Sequence, residues 1–319
     1  MKISVAFIVY NGSRYMRQQL DSIFAQTHKV DEIMVCDDRS TDGTKQVLEE
    51  YKNEHPDLFF FHYNKENIGP TKNIEKAIQA CTGDIILLSD QDDYWETNKV
   101  ETIVKWFEQN PNMKGVFTNG ALMNSKEELD NNYGLWDAMS FPYKAIKNSN
   151  NLKLYINTVE NCVTGASLAI RNNLSFLKQP FPLIKLLVHD RWLAMNLAET
   201  NSLGILEEKL IHYRIHSAQA IGGMTENIEK YIDLNANILE GKPNTNNSIT
   251  SFKDLRYILN KIEINLEIQN EISKIEYKEF DNSNYIAILK NKHKIYEEYG
   301  FKKWPVLSGL RKFKKLFTA

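Results

Sequence analysis

The sequence contains few cysteines, three among 319 residues, and they are widely spaced. Cys36, Cys81 and Cys162 form no CxxC pair. Structural zinc sites and disulfide frameworks need closely spaced or paired cysteines, so neither kind of protein is indicated. Because unpaired cysteines are typical of a reducing compartment, we expect a cytoplasmic protein.

Long hydrophobic runs are also missing. No apolar stretch approaches the roughly 20 residues that a membrane-spanning helix needs. The early run Ile3–Val9 is long enough to imitate the core of a signal peptide. However, β-branched residues dominate it and no small-residue cleavage site follows. We interpret this segment as a buried first strand.

Three glycine signatures of common enzyme classes are absent. The first predicted strand is not followed by GxGxxG, and the chain has no GxxxxGK[ST] and no GxSxG. These absences argue against dinucleotide oxidoreductases, against P-loop kinases and ATPases, and against esterases. Any phosphate groups that bind here are therefore expected to be held by a metal ion rather than by a glycine loop.

Neither sign of charge dominates the chain as a whole. Its 39 Lys and Arg and 41 Asp and Glu residues give a formal net charge of −2, which does not indicate nucleic-acid binding. Residues 300–319 differ, because they contain six basic residues and no acidic residue. Within them Val306, Leu310, Phe313 and Phe317 form one apolar stripe at helical spacing. A basic amphipathic helix of this kind suits an anionic membrane surface, and docking of the stripe on the helical region is the alternative.

The order of predicted elements indicates an α/β fold. Unbroken apolar strands alternate with amphipathic helices over the first third of the chain, which predicts a mostly parallel, Rossmann-like sheet flanked by helices. Beyond about Thr225 only helical patterns occur. We therefore predict one α/β domain over 1–225 and a helical appendage over 226–319, whose helices are a candidate surface for homo-oligomerisation.

The polar residues of the α/β region follow predicted strands, where open parallel sheets bind ligands. Asp90-Gln91-Asp92-Asp93 comes directly after a five-residue apolar strand. Carboxylates this close repel one another unless they share a cation, and hard oxygen ligands suit Mg²⁺ or Mn²⁺. A solvated acidic turn is the alternative interpretation. A calcium loop is disfavoured because Trp95 occupies the position that needs glycine.

Several short motifs in a fixed order resemble one enzyme family. A strand ending in Tyr10-Asn11 is followed by CDDRSTDGT at 36–44, NIGPTKN at 67–73, LLSDQDDYW at 87–95, TGASLAIR at 164–171, HDRW at 189–192 and YRIHSAQ at 213–219. This series is similar to the inverting glycosyltransferases of family 2, which have the GT-A fold. The DQDDYW and HDRW motifs resemble the rhamnosyltransferase-like branch that builds bacterial cell-surface polysaccharides.

The resemblance implies a nucleotide-sugar site. It assigns the nucleobase contact to Asp38, with Asp37 as the alternative and Tyr10 beside it. It places Asp90 near the ribose. The further residues implied on the nucleotide-sugar side are Gly69, Lys72, Asn73, Gln91, Thr164 and Gly165. The family more often has arginine at position 72, which offers a two-pronged contact that lysine does not.

The resemblance also implies a metal, a base and an acceptor side. Asp92 and His216 correspond to metal ligands, for Mn²⁺ or Mg²⁺. Asp190 corresponds to the catalytic base, and a plain helix cap is the alternative for this residue. The residues implied on the acceptor side are Trp95, His189, Arg191 and Trp192. Trp95 has core packing as its alternative.

Together these expectations describe a metal-dependent inverting glycosyltransferase. The donor class is a nucleotide-diphosphate sugar, dTDP-rhamnose or a UDP-sugar, and the acceptor is a saccharide that is lipid-linked. The protein would be peripheral at the inner face of the plasma membrane. A nucleotidyltransferase and a non-catalytic sugar-nucleotide-binding or assembly protein are the alternatives. The segment YNGSR at 10–14 lacks the glycine-rich loop expected of a nucleotidyltransferase. Asp190, together with the DxD motif formed by Asp90 and Asp92, argues against a non-catalytic protein.

Overall fold

The computed structural model describes residues 1–146, 148–216, 227–243, 248–309 and 311. The strands are β1 Ile3–Val9, β2 Glu32–Asp37, β3 Phe59–Tyr63, β4 Ile85–Ser89, β5 Tyr94–Trp95, β6 Gly115–Asn124, β7 Leu129–Gly134, β8 Leu168–Arg171 and β9 Leu203–Ile215. The α-helices are α1 Met16–Phe24, α2 Thr44–Glu54, α3 Pro70–Ala80, α4 Lys99–Gln109, α5 Leu135–Ala138, α6 Ser149–Thr158, α7 His189–Glu199, α8 Ile228–Glu240, α9 Phe252–Ser273 and α10 Ser283–Lys303.

One mixed sheet runs through the α/β part in the order β3-β2-β1-β4-β8-β6-β9-β5, with β7 paired to β6. The strands β3, β2, β1 and β4 are parallel, as the alternating pattern predicts. The expectation of a mostly parallel sheet is corrected beyond β4, because β8 is antiparallel to both β4 and β6. The chain enters β8 from the 3₁₀ turn Gly165–Ser167, which lies at the carboxyl end of β4. The mixed topology therefore delivers that turn to the edge where β1, β2 and β4 end.

The sheet core is built from strands that are apolar on both faces. All seven residues of β1 and all five of β4 are buried. Helix α3 covers β1 and β2 and buries its apolar side through Ile74, Ala77 and Ile78. Burial on both faces explains why these strands lack the alternation of a half-exposed sheet.

A polar cluster closes the opposite, amino-terminal end of β1 and β2. The buried Glu32 carboxylate accepts hydrogen bonds from the side chains of Ser4 and Thr82, from the Thr82 backbone and from Lys2. Burial alone would raise its pKa, but these bonds outweigh burial and lower the pKa of Glu32 to about 2. Glu32 therefore has a structural role at the amino-terminal end of the strands, away from the polar residues at their carboxyl ends.

The chain divides into two compact units. The first contains Met1–Trp136, Val163–Leu183 and the described residues from 187 to 216, and it holds the whole sheet. The second contains Asp137–Cys162, Ile184–Leu186 and the described residues from 227 onward.

The second unit differs from the division predicted at residues 225 and 226, because it also includes helix α6. This helix packs on α8, α9 and α10. The side-chain amides of Asn265 and Gln269 on α9 donate to the carbonyls of Val159 and Asn157 at the end of α6, both at 2.9 Å. Pairing these buried carbonyls ties α6 to the helical unit. In the part of the chain that is described, no helix has the length and apolarity to cross a membrane.

Candidate active site

The ends of β1 and β4 are fastened to each other by Gln91. Its side-chain oxygen accepts from the Tyr10 backbone N–H at 2.8 Å, and its side-chain nitrogen donates to the Tyr10 carbonyl at 3.0 Å. The resemblance implies Gln91 on the nucleotide-sugar side. In this structure its side-chain amide holds the loop after β4 against the end of the first strand. The Tyr10 side chain remains half exposed at this edge.

The two acidic residues at the carboxyl end of β2, Asp37 and Asp38, are both buried and both engaged by the protein. One Asp38 oxygen accepts from the Asn64 side chain at 3.0 Å and from the Ile68 N–H at 2.8 Å, and the other accepts from the Gly69 N–H at 2.9 Å. Asp37 accepts from the Ser40 N–H at 3.1 Å, while burial raises its pKa. In this structure both carboxylates, to which the resemblance assigned the nucleobase contact, organise loops, and Asp38 shapes the NIGP segment.

The NIGP segment leads into α3 with an open turn at Gly69. This glycine has a φ of +81°, and a side chain there would meet no atom within 4 Å, so its face of the loop is open. Asn73 lies below the loop, where its amide accepts from Asn64 and donates to the Cys36 carbonyl, each at 2.8 Å. The Lys72 ammonium pairs with Glu75 at 2.8 Å. Gly69 and Lys72 are thus partly exposed, and Asn73 is buried.

The acidic loop after β4 concentrates negative charge in little space. Burial and the neighbouring Asp92 and Asp190 carboxylates raise the pKa of Asp90 to about 7. Burial together with Asp92 and Asp90 also raises the pKa of Asp93 well above its usual value. One Asp93 oxygen accepts from the Arg214 N–H at 3.0 Å, whereas the other has no partner among the described residues. The chemistry of this loop therefore favours a cation.

Asp92 pairs with His216, which lies just beyond the end of β9. Their Oδ2 and Nε2 atoms are 2.8 Å apart. The chain around Tyr213 and Arg214 is extended, since β9 continues to Ile215. The pair offers one hard oxygen and one imidazole nitrogen, both of which Mn²⁺ accepts. Within the described ranges, no group of three or more His, Cys, Asp or Glu side chains could hold a metal ion by itself.

The turn at Gly165 lies between Asp90 and His189. A β-carbon added to Gly165 would lie 3.0 Å from His189 Nε2 and 4.0 Å from Asp90 Oδ2. The missing side chain thus leaves a small gap bounded by an imidazole and a carboxylate. Burial lowers the pKa of His189 to about 4, so the ring is neutral near pH 7. Thr164 precedes this gap, and its hydroxyl bonds the Ser167 hydroxyl at 3.0 Å.

Asp190 is the second residue of α7 and not its cap. The cap position is Val188, and the Asp190 carboxylate accepts from the Arg191 N–H at 2.6 Å within the first turn. A carboxylate at this end of a helix is stabilised by the helix dipole. Since Asp190 contributes to the raised pKa of Asp90, the two carboxylates face the same region.

Three residues implied on the acceptor side are buried. Trp95 has 0% of its surface exposed, and Trp192 and Arg191 have 3% each. Trp95 lies in β5, which pairs with β9, and its ring packs beneath the Lys99 ammonium at 3.9 Å. The core-packing alternative therefore describes Trp95, and His189 is the one half-buried side chain of the four that borders the Gly165 gap.

Two basic residues in this region were not identified from the sequence. Arg214 is 1% exposed; its side chain donates to the Asp92 carbonyl at 2.8 Å and lies over the Tyr15 ring at 4.4 Å. Lys99 is also 1% exposed. The available signal was a lysine at the first position of a helix, where the dipole disfavours positive charge.

Comparison with known proteins identifies the protein family to which this chain belongs. Residues 4–170 match glycosyl transferase family 2, which is more than half of the chain. The chain belongs to this family. Its fold is the GT-A fold, which confirms the fold expected from the resemblance.

The relatives vary in how much of their length is matched. An uncharacterized glycosyltransferase of Nostoc is 31% identical over 226 residues, which are 68% of this chain and 66% of the relative. The chain thus spans just under two thirds of that relative.

Two solved structures share the fold at low sequence identity. S. aureus TarS in complex with UDP has a TM-score of 0.55 and 18% identity over 95% of this chain and 93% of that one. A mannosyltransferase of Pyrobaculum calidifontis, in complex with GDP-Man and Mn²⁺, has a TM-score of 0.52 and 14% identity. That match covers 99% of this chain and 80% of the other.

Proposed function

We propose that this chain transfers a sugar from a nucleotide-diphosphate sugar to a hydroxyl group of a saccharide, with inversion at the anomeric carbon. The observation that carries the proposal is the convergence of Asp92 and Asp190 on the buried Asp90, because burial and these two carboxylates raise the pKa of Asp90 to about 7. They meet at the carboxyl ends of the strands, the edge at which open α/β sheets bind ligands. The solved complexes of TarS with UDP and of the mannosyltransferase with GDP-Man support a nucleotide-sugar donor.

In the proposed reaction Asp190 is the general base. Its carboxylate takes the proton of the acceptor hydroxyl while the hydroxyl oxygen forms a bond to the anomeric carbon. The bond between that carbon and the donor diphosphate breaks, and its electron pair leaves with the diphosphate. One displacement of this kind inverts the anomeric configuration. Asp190 lies in the first turn of α7, where the helix dipole favours a negative charge.

Asp92 and His216 are the proposed ligands of Mn²⁺ or Mg²⁺. Bound to this pair, the cation would supply positive charge to the leaving diphosphate. The unpartnered Asp93 oxygen and the mutual repulsion of the loop carboxylates support a cation here. The mannosyltransferase complex with Mn²⁺ gives further support.

The sugar side of the proposed site is the gap at Gly165. Neutral His189 can donate to or accept from a sugar hydroxyl, and the Asp90 carboxylate can accept from one. Thr164 and Gly165 would form the floor, and Tyr10 and the loop at Gly69 would line the nucleotide side. The DQDDYW and HDRW motifs support dTDP-rhamnose or a UDP-sugar as donor and bacterial cell-surface polysaccharide as the product class.

The test is a screen of the full chain with UDP-, dTDP- and GDP-sugars, with and without Mn²⁺. We expect release of the nucleoside diphosphate from one donor class, dependent on the metal and stimulated by a saccharide acceptor. Binding without turnover would favour a sugar-nucleotide-binding protein instead. Pyrophosphate formed from a nucleoside triphosphate and a sugar phosphate would favour a nucleotidyltransferase.

The second unit supports a further proposal, contact with an anionic membrane that carries a lipid-linked acceptor. Phe301, Val306 and Leu307 are exposed large apolar residues, with Val306 at 74%, and Lys302 and Lys303 are exposed beside them. Exposed apolar residues next to lysines suit an anionic lipid surface. Self-association through the same helices is the competing use of this surface.

The tail differs in part from the predicted amphipathic helix. Arg311 is paired within the second unit and so is not available to contact lipid. Its guanidinium donates to Glu263 at 2.9 Å and to Asn260 at 3.1 Å, both on α9. Leu310, Phe313 and Phe317 of the predicted stripe lie outside the described residues. The proposal therefore rests on Phe301–Leu307, and it implies a peripheral position at the inner face of the plasma membrane.

A further inference from the structure

Lys99 places a buried ammonium group beneath the acidic loop. It is the first residue of α4 and is 1% exposed. Its Nζ atom donates one hydrogen bond, to the Ala166 carbonyl at 2.8 Å, and lies 3.9 Å from the centre of the Trp95 ring. Among the described residues no carboxylate lies within ion-pair distance of it.

This arrangement is energetically unfavourable on its own. A positive charge at the amino end of a helix opposes the helix dipole, and burial lowers the pKa of Lys99 to about 7. A methionine of similar length would fill the same space without either cost. Where a chain breaks a local rule in this way, the compensating gain is expected at a functional site.

The hydrogen bond joins two segments that are far apart in the chain. Lys99 and Ala166 are separated by 67 residues. Ala166 is the middle residue of the turn Gly165–Ser167, and Gly165 borders the gap between Asp90 and His189. A shift of this turn by a few tenths of an ångström would change the gap, because a single β-carbon would already crowd it.

We propose that Lys99 is a positioning residue, which holds the Gly165–Ser167 turn at the distance from Asp90 and His189 that sugar transfer requires. The inference rests on the proposed function for its catalytic consequence. The competing role for Lys99 is charge balance, since Asp93 and Asp90 are the acids that act on its pKa. The two roles predict different behaviour when Asp93 is made neutral.

The experiment compares four variants with the wild type. Lys99→Met removes the hydrogen-bond donor and the positive charge, Asp93→Asn removes the acid that acts most strongly on the pKa of Lys99, and the double variant combines both changes. Lys105→Met is the matched control, because it makes the same change on the same helix at an exposed residue paired with Glu101 at 2.5 Å. Hydrogen–deuterium exchange of the peptide over 163–170 measures the stability of the turn directly and needs no sugar nucleotide.

We expect Lys99→Met to speed amide exchange in 163–170 at least tenfold, with the β1 and β4 peptides unchanged, and Lys105→Met to have no effect. The double variant should be no less stable to urea than Lys99→Met and should still exchange fast in the turn. With the donor found in the screen, Lys99→Met and the double variant should lose at least tenfold in kcat while KM for the donor changes less than threefold.

Two results would overturn the inference. The first is wild-type exchange in the turn of Lys99→Met. The second is recovery of both exchange and kcat in the double variant, which would make Lys99 a charge-balancing residue. If Lys99→Met does not fold, the double variant alone decides between these outcomes. If no sugar nucleotide is turned over by the wild type, the proposed function fails, while the exchange result still decides whether Lys99 holds the turn.

Discussion

Asp92 and His216 are 124 residues apart in sequence, and their side chains meet at 2.8 Å. The contact is made possible by β9, which pairs with β5 and brings His216 to the acidic loop. Arg214, two residues earlier, secures the same loop through the backbone of Asp92 and the side chain of Asp93. The last strand of the sheet therefore supports the proposed metal site.

Asp92→Asn should abolish Mn²⁺-dependent nucleotide binding and leave the fold intact. The substitution removes one charge and one hard oxygen ligand from the Asp92–His216 pair, which no third His, Cys, Asp or Glu completes as a metal-holding group within the described chain. Calorimetric titration with the nucleoside diphosphate, with and without Mn²⁺, measures the effect. Asp57→Asn, at an exposed position, is the control. Unchanged Mn²⁺-dependent binding in Asp92→Asn would remove Asp92 from the metal site.

Asp190→Asn should retain donor affinity and lower turnover by about two or more orders of magnitude, the usual range for the loss of a general base. The amide keeps the size of the side chain and the first turn of α7, so the free energy of unfolding should change little. Steady-state rates with acceptor present and donor titration measure the two quantities separately. A variant that transfers sugar at nearly the wild-type rate would show that the base is another residue, with Asp93 the next candidate.

The elements of the parallel half were predictable from sequence because their patterns are local. The strand Ile3–Val9 is observed with the predicted bounds. The antiparallel insertion of β8 was not predictable, since a four-residue strand carries no sign of its direction.

The same distinction between local and long-range signals holds in the candidate site. Motif residues such as Asp90 and Asp190 come together as expected. Whether a side chain is engaged by another segment depends on contacts far along the chain. These contacts could not be predicted from the sequence: the Asp38 carboxylate accepts from the backbone of Ile68 and Gly69, and Lys99 donates to the Ala166 carbonyl.

Gly165→Ala should lower donor turnover by about tenfold and cost about 1–3 kcal/mol of stability, the usual range for overpacking a buried position. The new methyl group would lie 3.0 Å from His189 Nε2, closer than ordinary packing allows, and would enter the gap proposed for the sugar. Gly43→Ala is the matched control, because its methyl group would meet nothing closer than 3.6 Å. Turnover and the urea midpoint of both variants are the measurements. Equal activity of the two variants would show that the sugar does not occupy this gap.

Glu32→Gln should destabilise the fold in a pH-dependent way. The carboxylate has a pKa of about 2 when folded and an ordinary value near 4.5 when unfolded, so folding favours its ionised form. Its contribution is fully present above pH 4.5, where it amounts to about 3 kcal/mol, and disappears as the pH falls toward 2. Urea unfolding of wild type and variant between pH 3 and 7 should show curves that converge at low pH. An exposed control, Glu66→Gln, should show no such convergence, and a constant difference for Glu32→Gln would contradict the assignment.

The double substitution Val306→Ser/Leu307→Ser should weaken binding to anionic vesicles and leave hydrolysis of the free donor intact. Both side chains are exposed, at 74% and 43%, and they lie in the second unit, whereas the proposed donor site belongs entirely to the first. Each lysine near an anionic surface adds about 1 kcal/mol, which salt screens, so binding of the wild type should fall steeply as salt rises.

The matched control for this prediction is Leu129→Ser, which removes a leucine of equal exposure, 43%, from the sheet unit. Co-sedimentation with vesicles containing anionic lipid, at low and high salt, measures binding of all three proteins. The control should pellet like the wild type, and the double variant should remain in the supernatant. If the wild type never pellets, or the double variant pellets equally, the membrane proposal is wrong. A concentration-dependent change of mass in the wild type that the double variant lacks would then assign Val306 and Leu307 to contact between copies of the chain.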